Sequence, residues 1–333
     1  MPDSNPLSTT TQPGVTLGLD LGKQHLRIGL LDPTGALQHF QRFDYQFDPE
    51  DTARSGQHVL DQMLAATQQF ITEQRCGDHG VSLRAIGLAL PGLIHHETQR
   101  IIKLPYIPAL AELDLRAAFA QAFDAEGNTE VKLINNAQAA TLAEMQRGRA
   151  QGVSDWLYLH MGANVSAGLV LGGALQYGKS GLAGALGEMM IDPERTGDFV
   201  TLESMASAEN VARRTQKRLQ RDSTSSLSRL GLQRQFTYND IVEAAEAGDD
   251  LARLMLQRTG KFLGLAIGEI INLLNLSLVI VGGSPSARPY LVSAIADEAR
   301  QHTHPALFDD CRIMAAELGA EATVIGAALL ARS

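Results

Sequence analysis

Cysteine is nearly absent from this chain of 333 residues, which has only Cys76 and Cys311. Neither cysteine belongs to a CxxC pair, so the sequence offers no zinc ribbon and no disulfide framework. Two isolated cysteines are typical of a protein that works in a reducing compartment, and we therefore expect a cytoplasmic location.

Basic charge and long apolar runs are also scarce. Lys and Arg number 28 against 37 Asp and Glu, a formal net charge of -9, which disfavours contacts with nucleic-acid phosphates. Every apolar run is shorter than the roughly 18 residues that a membrane-spanning helix needs. Residues 1–14 are polar, rich in proline and unlike a signal peptide, so we expect a disordered tail there. The composition thus argues against nucleic-acid and membrane partners.

What the chain does contain is a repeated order of strands and helices. Three short strands are predicted from Val15 and again from Trp156. Periodicity predicts further helices and strands at Val59–Glu73, Ala85–Leu90, Leu113–Phe123, Val131–Ile134, Ala208–Leu219, Tyr238–Ala247, Leu251–Leu274, Leu278–Val281, Tyr290–His302, Arg312–Met314 and Ala320–Ala331. The polar segment Arg221–Gln235 has no clear period, and we expect a loop there. Such a duplicated α/β order places a ligand-binding cleft between two lobes.

Three turns that contain glycine follow predicted strands. They are GLDLGKQ (Gly18–Gln24), MGANVSAG (Met161–Gly168) and VIVGGSPS (Val279–Ser286). Backbone amides of such turns can bind a phosphate, and paired glycines let a flat ligand such as adenine approach the backbone. Each turn alone could equally be an ordinary hairpin or strand-to-helix connection. Their combination in a duplicated α/β chain is far more specific than any one of them.

The order and spacing of these segments resemble the ROK family (repressor, open reading frame, kinase) of the actin-like ATPase and sugar kinase superfamily. The similarity runs from about Val15 to the C-terminus and includes ALPGLI (Ala89–Ile94) and NNAQAATLAE (Asn135–Glu144). It implies an α/β fold of duplicated actin-like ATPase (ribonuclease H-like) lobes with an interlobe cleft. The N-terminal lobe would comprise residues 15–134 plus 318–333, and the C-terminal lobe residues 135–317. It also implies a homodimer.

The resemblance assigns roles to particular residues. Asp20 would face a nucleotide-bound magnesium ion. Nucleotide would contact Gly22, Lys23, Gln24, Gly162, Ala163, Asn164, Gly282 and Gly283, and sugar would contact Tyr106, Asn135, Glu188 and Glu203. Tyr106 replaces an Asn that helps to hold the sugar; it could stack on the sugar or plug the pocket, and simple packing is the plainer interpretation.

The chain departs from the family's kinases at residues that carry chemistry. Asn136 stands where those kinases have an Asp base, and an amide cannot accept the sugar's proton, so general-base catalysis would fall by about 10²–10⁴-fold. Ala185 and Glu188 replace the Glu and His of a Glu-x-Gly-His motif. The zinc loop that follows is shortened to DPERTGDFVT, which lacks Cys, so we expect no zinc. Gln24 and Ala163 lack the hydroxyls that would donate to phosphate.

Several functions remain open from the sequence. The leading interpretation is a sugar kinase-like protein with a degenerate active site, a carbohydrate-binding or regulatory module with little or no kinase activity, whose ligand is a small sugar or sugar phosphate. The alternative is a divergent but active hexose or N-acetylhexosamine kinase that uses ATP and magnesium, with Glu188 as substitute base. A structural protein with a vestigial cleft is a third interpretation. A transcriptional regulator lacking its DNA-binding domain is a weaker one, because a short tail stands where the family's repressors carry that domain.

Overall fold

The computed structural model describes residues 14–23, 25–46, 52–74, 82–124, 129–192, 200–219, 224–283 and 289–333. The predicted tail therefore lies outside the described residues except for Gly14. Within the described part of the chain, no helix is both long enough and apolar enough to cross a bilayer.

The first half of the chain builds a five-stranded sheet flanked by helices. The strands of this half are β1 (Val15–Leu21), β2 (His25–Leu31), β3 (Leu37–Asp44), β4 (Leu83–Leu90), β5 (Leu93–Ile94), β6 (Ile101–Lys103) and β7 (Glu130–Asn135), of which β5 and β6 form a separate two-stranded sheet. Its helices are α1 (Thr52–Glu73), α2 (Leu115–Phe123) and α3 (Asn136–Arg147). The sheet order is β3-β2-β1-β4-β7, with antiparallel pairs on one side of β1 and parallel pairs on the other.

The second half repeats this arrangement. Its strands are β8 (Trp156–Met161), β9 (Val165–Leu171), β10 (Ala174–Leu175), β11 (Met190–Asp192), β12 (Val200–Thr201), β13 (Leu278–Gly282) and β14 (Arg312–Ala315). Its helices are α4 (Leu202–Ala206), α5 (Ala208–Leu219), α6 (Leu227–Gln233), α7 (Tyr238–Glu246), α8 (Asp250–Leu274), α9 (Pro289–His302), α10 (Pro305–Asp309) and α11 (Ala322–Ala331). The sheet order β10-β9-β8-β13-β14 matches the first sheet position by position, which confirms the predicted duplication.

The last helix, α11, returns to the first sheet and is buried along almost its whole length. Two glycines make this approach close: a Cβ added to Gly18 in β1 or Gly87 in β4 would collide with backbone carbonyls of α11. Gly326 of α11 approaches the carbonyl of Ala139 in α3 equally closely. Strand and helix backbones therefore touch with no side chain between them, which only glycine permits.

The connection into α11 is fixed by Glu144, a fully buried carboxylate of α3. Its Oε1 accepts hydrogen bonds from the backbone N–H groups of Glu317 (2.9 Å) and Leu318 (3.0 Å), and its Oε2 accepts from Arg149 N–H (2.9 Å). A buried charge needs such partners, and here the backbone supplies all three. The lobe boundaries themselves, including the division at residue 135, stay predictions.

Two elements differ from the sequence-based expectation. Residues 227–233 form α6 inside the segment predicted as loop, so that prediction was wrong there. The Asp249 carboxylate accepts hydrogen bonds from Ser225 and Ser226, which fixes the start of this helix, and Leu227 anchors it in the core. Helix α3 was not predicted as a helix at all.

Candidate functional site

A cavity of about 740 Å³ lies between the two halves of the molecule. Tyr106 lines it from the first half, and Ala163, Glu203, Arg213 and Phe236 line it from the second. This volume lies within the usual range for small-molecule sites. The cavity therefore occupies the position where the duplicated fold predicted a cleft.

The first turn of the sequence, between β1 and β2, carries a buried ion pair. The antiparallel register places Asp20 directly opposite Arg27. Arg27 Nη1 donates to Asp20 Oδ2 at 2.7 Å, and Asp20 is only 2% exposed. Burial raises the pKa of the Asp20 carboxyl, and the Arg27 guanidinium acts in the opposite direction. The acid that the resemblance would direct towards a metal is thus already paired with a cation of the protein.

Asn136 completes this pairing from the start of α3. Its Nδ2 donates to Asp20 Oδ1 at 2.9 Å and to the Leu21 carbonyl at 3.3 Å. Its Oδ1 is buried and has no hydrogen-bond partner among the described residues. Asn136, at the position where the resemblance predicts the family's base, is therefore a hydrogen-bond donor to Asp20.

A magnesium ion bound through Asp20 would take a carboxylate oxygen at roughly 2.0–2.1 Å. Both oxygens of Asp20 already accept hydrogen bonds, one from a guanidinium and one from an amide. The Arg27 charge would also repel a divalent cation at this distance. The residues at Asp20 therefore do not fit a magnesium ion.

His160, at the end of β8, belongs to the same cluster, and sequence reasoning missed both it and Arg27. Burial and the nearby Arg27 charge lower the pKa of His160 to about 4, so its ring is neutral near pH 7. Its Nδ1 is buried without a hydrogen-bond partner among the described residues. A predicted hairpin with opposite charges on facing strands was the signal for Arg27; no comparable signal marked His160.

Contacts across the cleft join the two halves at its mouth. Lys23 Nζ lies 2.8 Å from Glu209 Oε2 of α5 and 5.0 Å from the centre of the Tyr106 ring. The Tyr106 hydroxyl donates to the Ala163 carbonyl at 2.8 Å. Tyr106 therefore does more than pack, because it hydrogen-bonds to the second glycine turn and borders the cavity.

The remaining predicted sugar contacts occupy different surroundings. Asn135 caps α3, with Oδ1 accepting from Ala137 N–H at 2.8 Å and Nδ2 donating to the Gly92 carbonyl at 2.7 Å. Glu203 borders the cavity, where its carboxylate accepts from Val165 N–H at 2.6 Å and from Asn164 Nδ2 at 3.2 Å.

Glu188 lies apart from this group. It is exposed at the end of a 3-10 turn and does not border the cavity, and no described residue hydrogen-bonds to its side chain. Burial raises the pKa of Glu203, and repulsion from the Glu188 charge contributes in the same direction. The two carboxylates are therefore neighbours, but only Glu203 faces the cavity.

The second and third turns lie back to back. A Cβ added to Gly283, which has a φ of +92°, would collide with the carbonyl of Met161, just before the second turn. Gly282 packs on the Tyr158 ring in the same way. In the second turn, the N–H groups of Ala163 and Asn164 donate to no described residue. These amides are free to meet an anion in the cavity.

The first turn retains its glycine, and Gly22 packs directly against the His25 ring. Neither Lys23 nor Asn164 has a positive φ. Gln24 lies outside the described residues. The described residues contain no group of three side chains able to ligate a metal, and residues 193–199 of the shortened zinc loop lie outside them.

Comparisons with known proteins identify the family of this chain. The sequence model of the ROK family matches residues 16–333. A glucokinase from Halalkalibacterium halodurans is 29% identical over 329 residues, which cover 95% of this chain and 94% of that protein.

Two solved structures match nearly the whole chain. One is a ROK family transcriptional regulator, a homologue of the E. coli MLC protein, with 27% identity, a TM-score of 0.78, and coverage of 97% of this chain and 78% of that one. The other is a ROK family glucokinase from Streptomyces griseus in complex with glucose and AMPPNP, with 23% identity, a TM-score of 0.78, and coverage of 96% and 99%. These structures confirm the predicted fold of duplicated actin-like ATPase lobes.

Proposed function

Because this chain belongs to the ROK family, we propose that it is a sugar kinase-like protein that binds a small sugar or sugar phosphate and transfers little or no phosphate. The observation that carries this proposal is the pairing of the Asp20 carboxylate. Arg27 donates to one of its oxygens and Asn136 to the other, which supports a cleft with a guanidinium in place of a metal ion and an amide in place of a base.

Phosphoryl transfer depends on positioning and on electrostatic stabilisation of the transferred group. Here the Asn136 amide cannot accept a proton, and the Arg27 guanidinium that pairs with Asp20 disfavours a magnesium ion beside it. Tyr106 and Lys23 cross the cleft mouth near the phosphate turns. We expect each missing catalytic contact to remove about 1–3 kcal/mol of transition-state stabilisation. Several such losses, if partly additive, would lower the rate of phosphoryl transfer by orders of magnitude.

A sugar site is supported by the groups that remain. Glu203 supplies a half-buried carboxylate at the cavity wall, and Asn164 and Tyr106 lie beside it. Hydroxyl-rich ligands suit such a set, because carboxylate and amide oxygens accept hydrogen bonds from sugar hydroxyls. The regulator among the solved neighbours favours a regulatory use of the bound sugar.

An active hexose or N-acetylhexosamine kinase that uses ATP and magnesium is the alternative, and the glucokinase relative favours it. In that case Glu188 is the candidate base, because its carboxylate hydrogen-bonds to no described side chain and lies near Glu203. Loss of turnover in Glu188→Gln would identify it.

The test is an ADP-release assay with ATP and magnesium over aldohexoses, N-acetyl amino sugars and their epimers. We expect no turnover in the ordinary kinase range of about 1–100 s⁻¹. A thermal-shift screen of the same sugars should raise the melting temperature, because a ligand that binds only the folded state stabilises it. Turnover in the ordinary range would overturn the proposal.

A further inference from the structure

Arg27, the cation of this cluster, uses only part of its hydrogen-bonding capacity. Its side chain is partly buried, with 16% exposed. A guanidinium carries five N–H donors, and among the described residues only Asp20 accepts from Arg27. The remaining N–H groups of Arg27 are therefore available to an acceptor from outside the described protein.

Two further polar atoms of the cluster lack partners. Asn136 Oδ1 and His160 Nδ1 are both buried and make no hydrogen bond to a described residue. Buried polar atoms of native proteins rarely stay unpaired, and such exceptions concentrate where a ligand or water binds. The cluster around Asp20 therefore holds polar atoms beyond those that the described residues satisfy.

The second glycine turn adds donors to the same region. A Cβ at Gly162 would lie 3.2 Å from His160 Nε2, so this turn begins directly beside the cluster. The next two N–H groups, of Ala163 and Asn164, donate to no described residue, and Ala163 lines the cavity. A guanidinium with free N–H groups, close to a turn with two free amides, is an arrangement suited to an anion.

We propose that the Arg27 guanidinium replaces the divalent cation in this cleft, so that the cleft binds a terminal phosphate group directly and without magnesium. This inference rests on the proposed function, since it names the phosphorylated ligand of the same cleft. One edge of the guanidinium donates to Asp20, and the other N–H groups donate to phosphate oxygens. The planar guanidinium allows both sets of hydrogen bonds at once. The source of the phosphate is a sugar phosphate or a nucleotide, and both share this chemistry.

Isothermal titration calorimetry tests the inference with glucose 6-phosphate, N-acetylglucosamine 6-phosphate and ATP as probes, each in EDTA and in magnesium chloride. Free glucose and N-acetylglucosamine are the unphosphorylated controls. We expect at least one phosphorylated probe to bind in EDTA with a Kd within about threefold of its value in magnesium. Binding of the sugar phosphates alone, or of ATP alone, identifies the source of the phosphate.

Variants separate Arg27 from a metal at Asp20. The double variant Asp20→Asn/Arg27→Gln removes both charges of the buried pair and leaves neither unpaired. It should weaken binding of the phosphorylated probe by about tenfold to a hundredfold, the value of a charge-assisted hydrogen bond. Arg84→Gln, an exposed arginine at the start of β4, is the matched control and should change nothing.

Asp20→Asn alone is the second, discriminating variant. It frees Arg27 from its partner and should retain or tighten phosphate binding, whereas loss of a magnesium ligand would weaken it. The inference is overturned by binding that requires magnesium, by weaker binding in Asp20→Asn, by an unaffected double variant, or by the absence of binding to every phosphorylated probe. Free-sugar binding without turnover would leave the proposed function standing in each of those cases, whereas ADP release at ordinary kinase rates would overturn the proposed function instead.

Discussion

An aspartate at position 136, where the resemblance to ROK kinases predicts a base, should damage this protein and should not activate it. The Asn136 amide nitrogen lies 2.9 Å from Asp20 Oδ1. Asn136→Asp replaces that donor with an acceptor, so two carboxylates meet in a buried site. The variant gains the residue typical of an active kinase and loses the hydrogen bond that stabilises Asp20.

The size of the effect follows from these contacts. Loss of a hydrogen bond to a charged group costs about 1.5–3 kcal/mol. Repulsion between the carboxylates adds about 1.4 kcal/mol for each unit by which it raises their shared pKa, and Arg27, 2.7 Å from Asp20, limits that rise. We therefore expect the free energy of unfolding to fall by about 2–4 kcal/mol near neutral pH.

The pH dependence has a definite sign. Two close carboxylates retain one proton to a higher pH than the unfolded chain does, where each titrates near 3.9. Above that pH the folded state binds more protons than the unfolded state, so the variant loses stability as the pH rises towards the raised pKa. The deficit relative to the wild type should be smaller near pH 5 than near pH 8.

Urea denaturation at these two pH values measures the deficit, and the ADP-release assay measures activity. Asn136→Ala is the matched control, because it removes the same hydrogen bond without adding charge, so its deficit should vary little between the two pH values. An Asn136→Asp protein that is as stable as the wild type at both pH values, or that phosphorylates a sugar, would refute the reasoning.

Four further predictions concern other features of the molecule. Glu144→Ala should cost about 3–5 kcal/mol in urea denaturation, because three backbone N–H groups lose their acceptor, and Glu144→Gln should cost less; equal stability of all three proteins would contradict this. Tyr106→Phe should lower the free energy of unfolding by only about 0.5–1.5 kcal/mol, the value of its one hydrogen bond to Ala163, and a larger loss would indicate a wider role. Metal analysis of untagged protein should find no stoichiometric zinc, and about one zinc per chain would contradict this. Light scattering should find a dimer, and a monomer at every concentration would rule it out.

Most of the fold was predictable because each strand is marked by apolar residues that are close together in the sequence. β13, for example, is an unbroken apolar run that is buried throughout, as is typical of a central parallel strand. Helix α3 escaped prediction for the opposite reason. All of its residues from Ala137 to Glu144 are buried, so the helix presents no apolar stripe with helical period. Its cap, Asn135, and its alanines were the signals that remained.

The site was predictable only where its parts are close in sequence. Asp20 and Arg27 are seven residues apart on one hairpin, so their pairing could have been inferred from the strand register. Lys23 and Glu209 are 186 residues apart, and Tyr106 and Ala163 are 57 apart. Contacts at such separations depend on how the two halves meet, and no local pattern in one sequence encodes that.

The position of α11 also has a consequence for synthesis. Residues 322–331 complete the packing of β1 and β4. Chains begin to fold from the N-terminus during translation at about 5–20 residues per second, so β1 and β4 are synthesised about 10–50 s before α11, and the first sheet keeps an apolar face uncovered for that time. A frameshift in the codons for residues 322–331 would therefore damage the half of the molecule that was translated first.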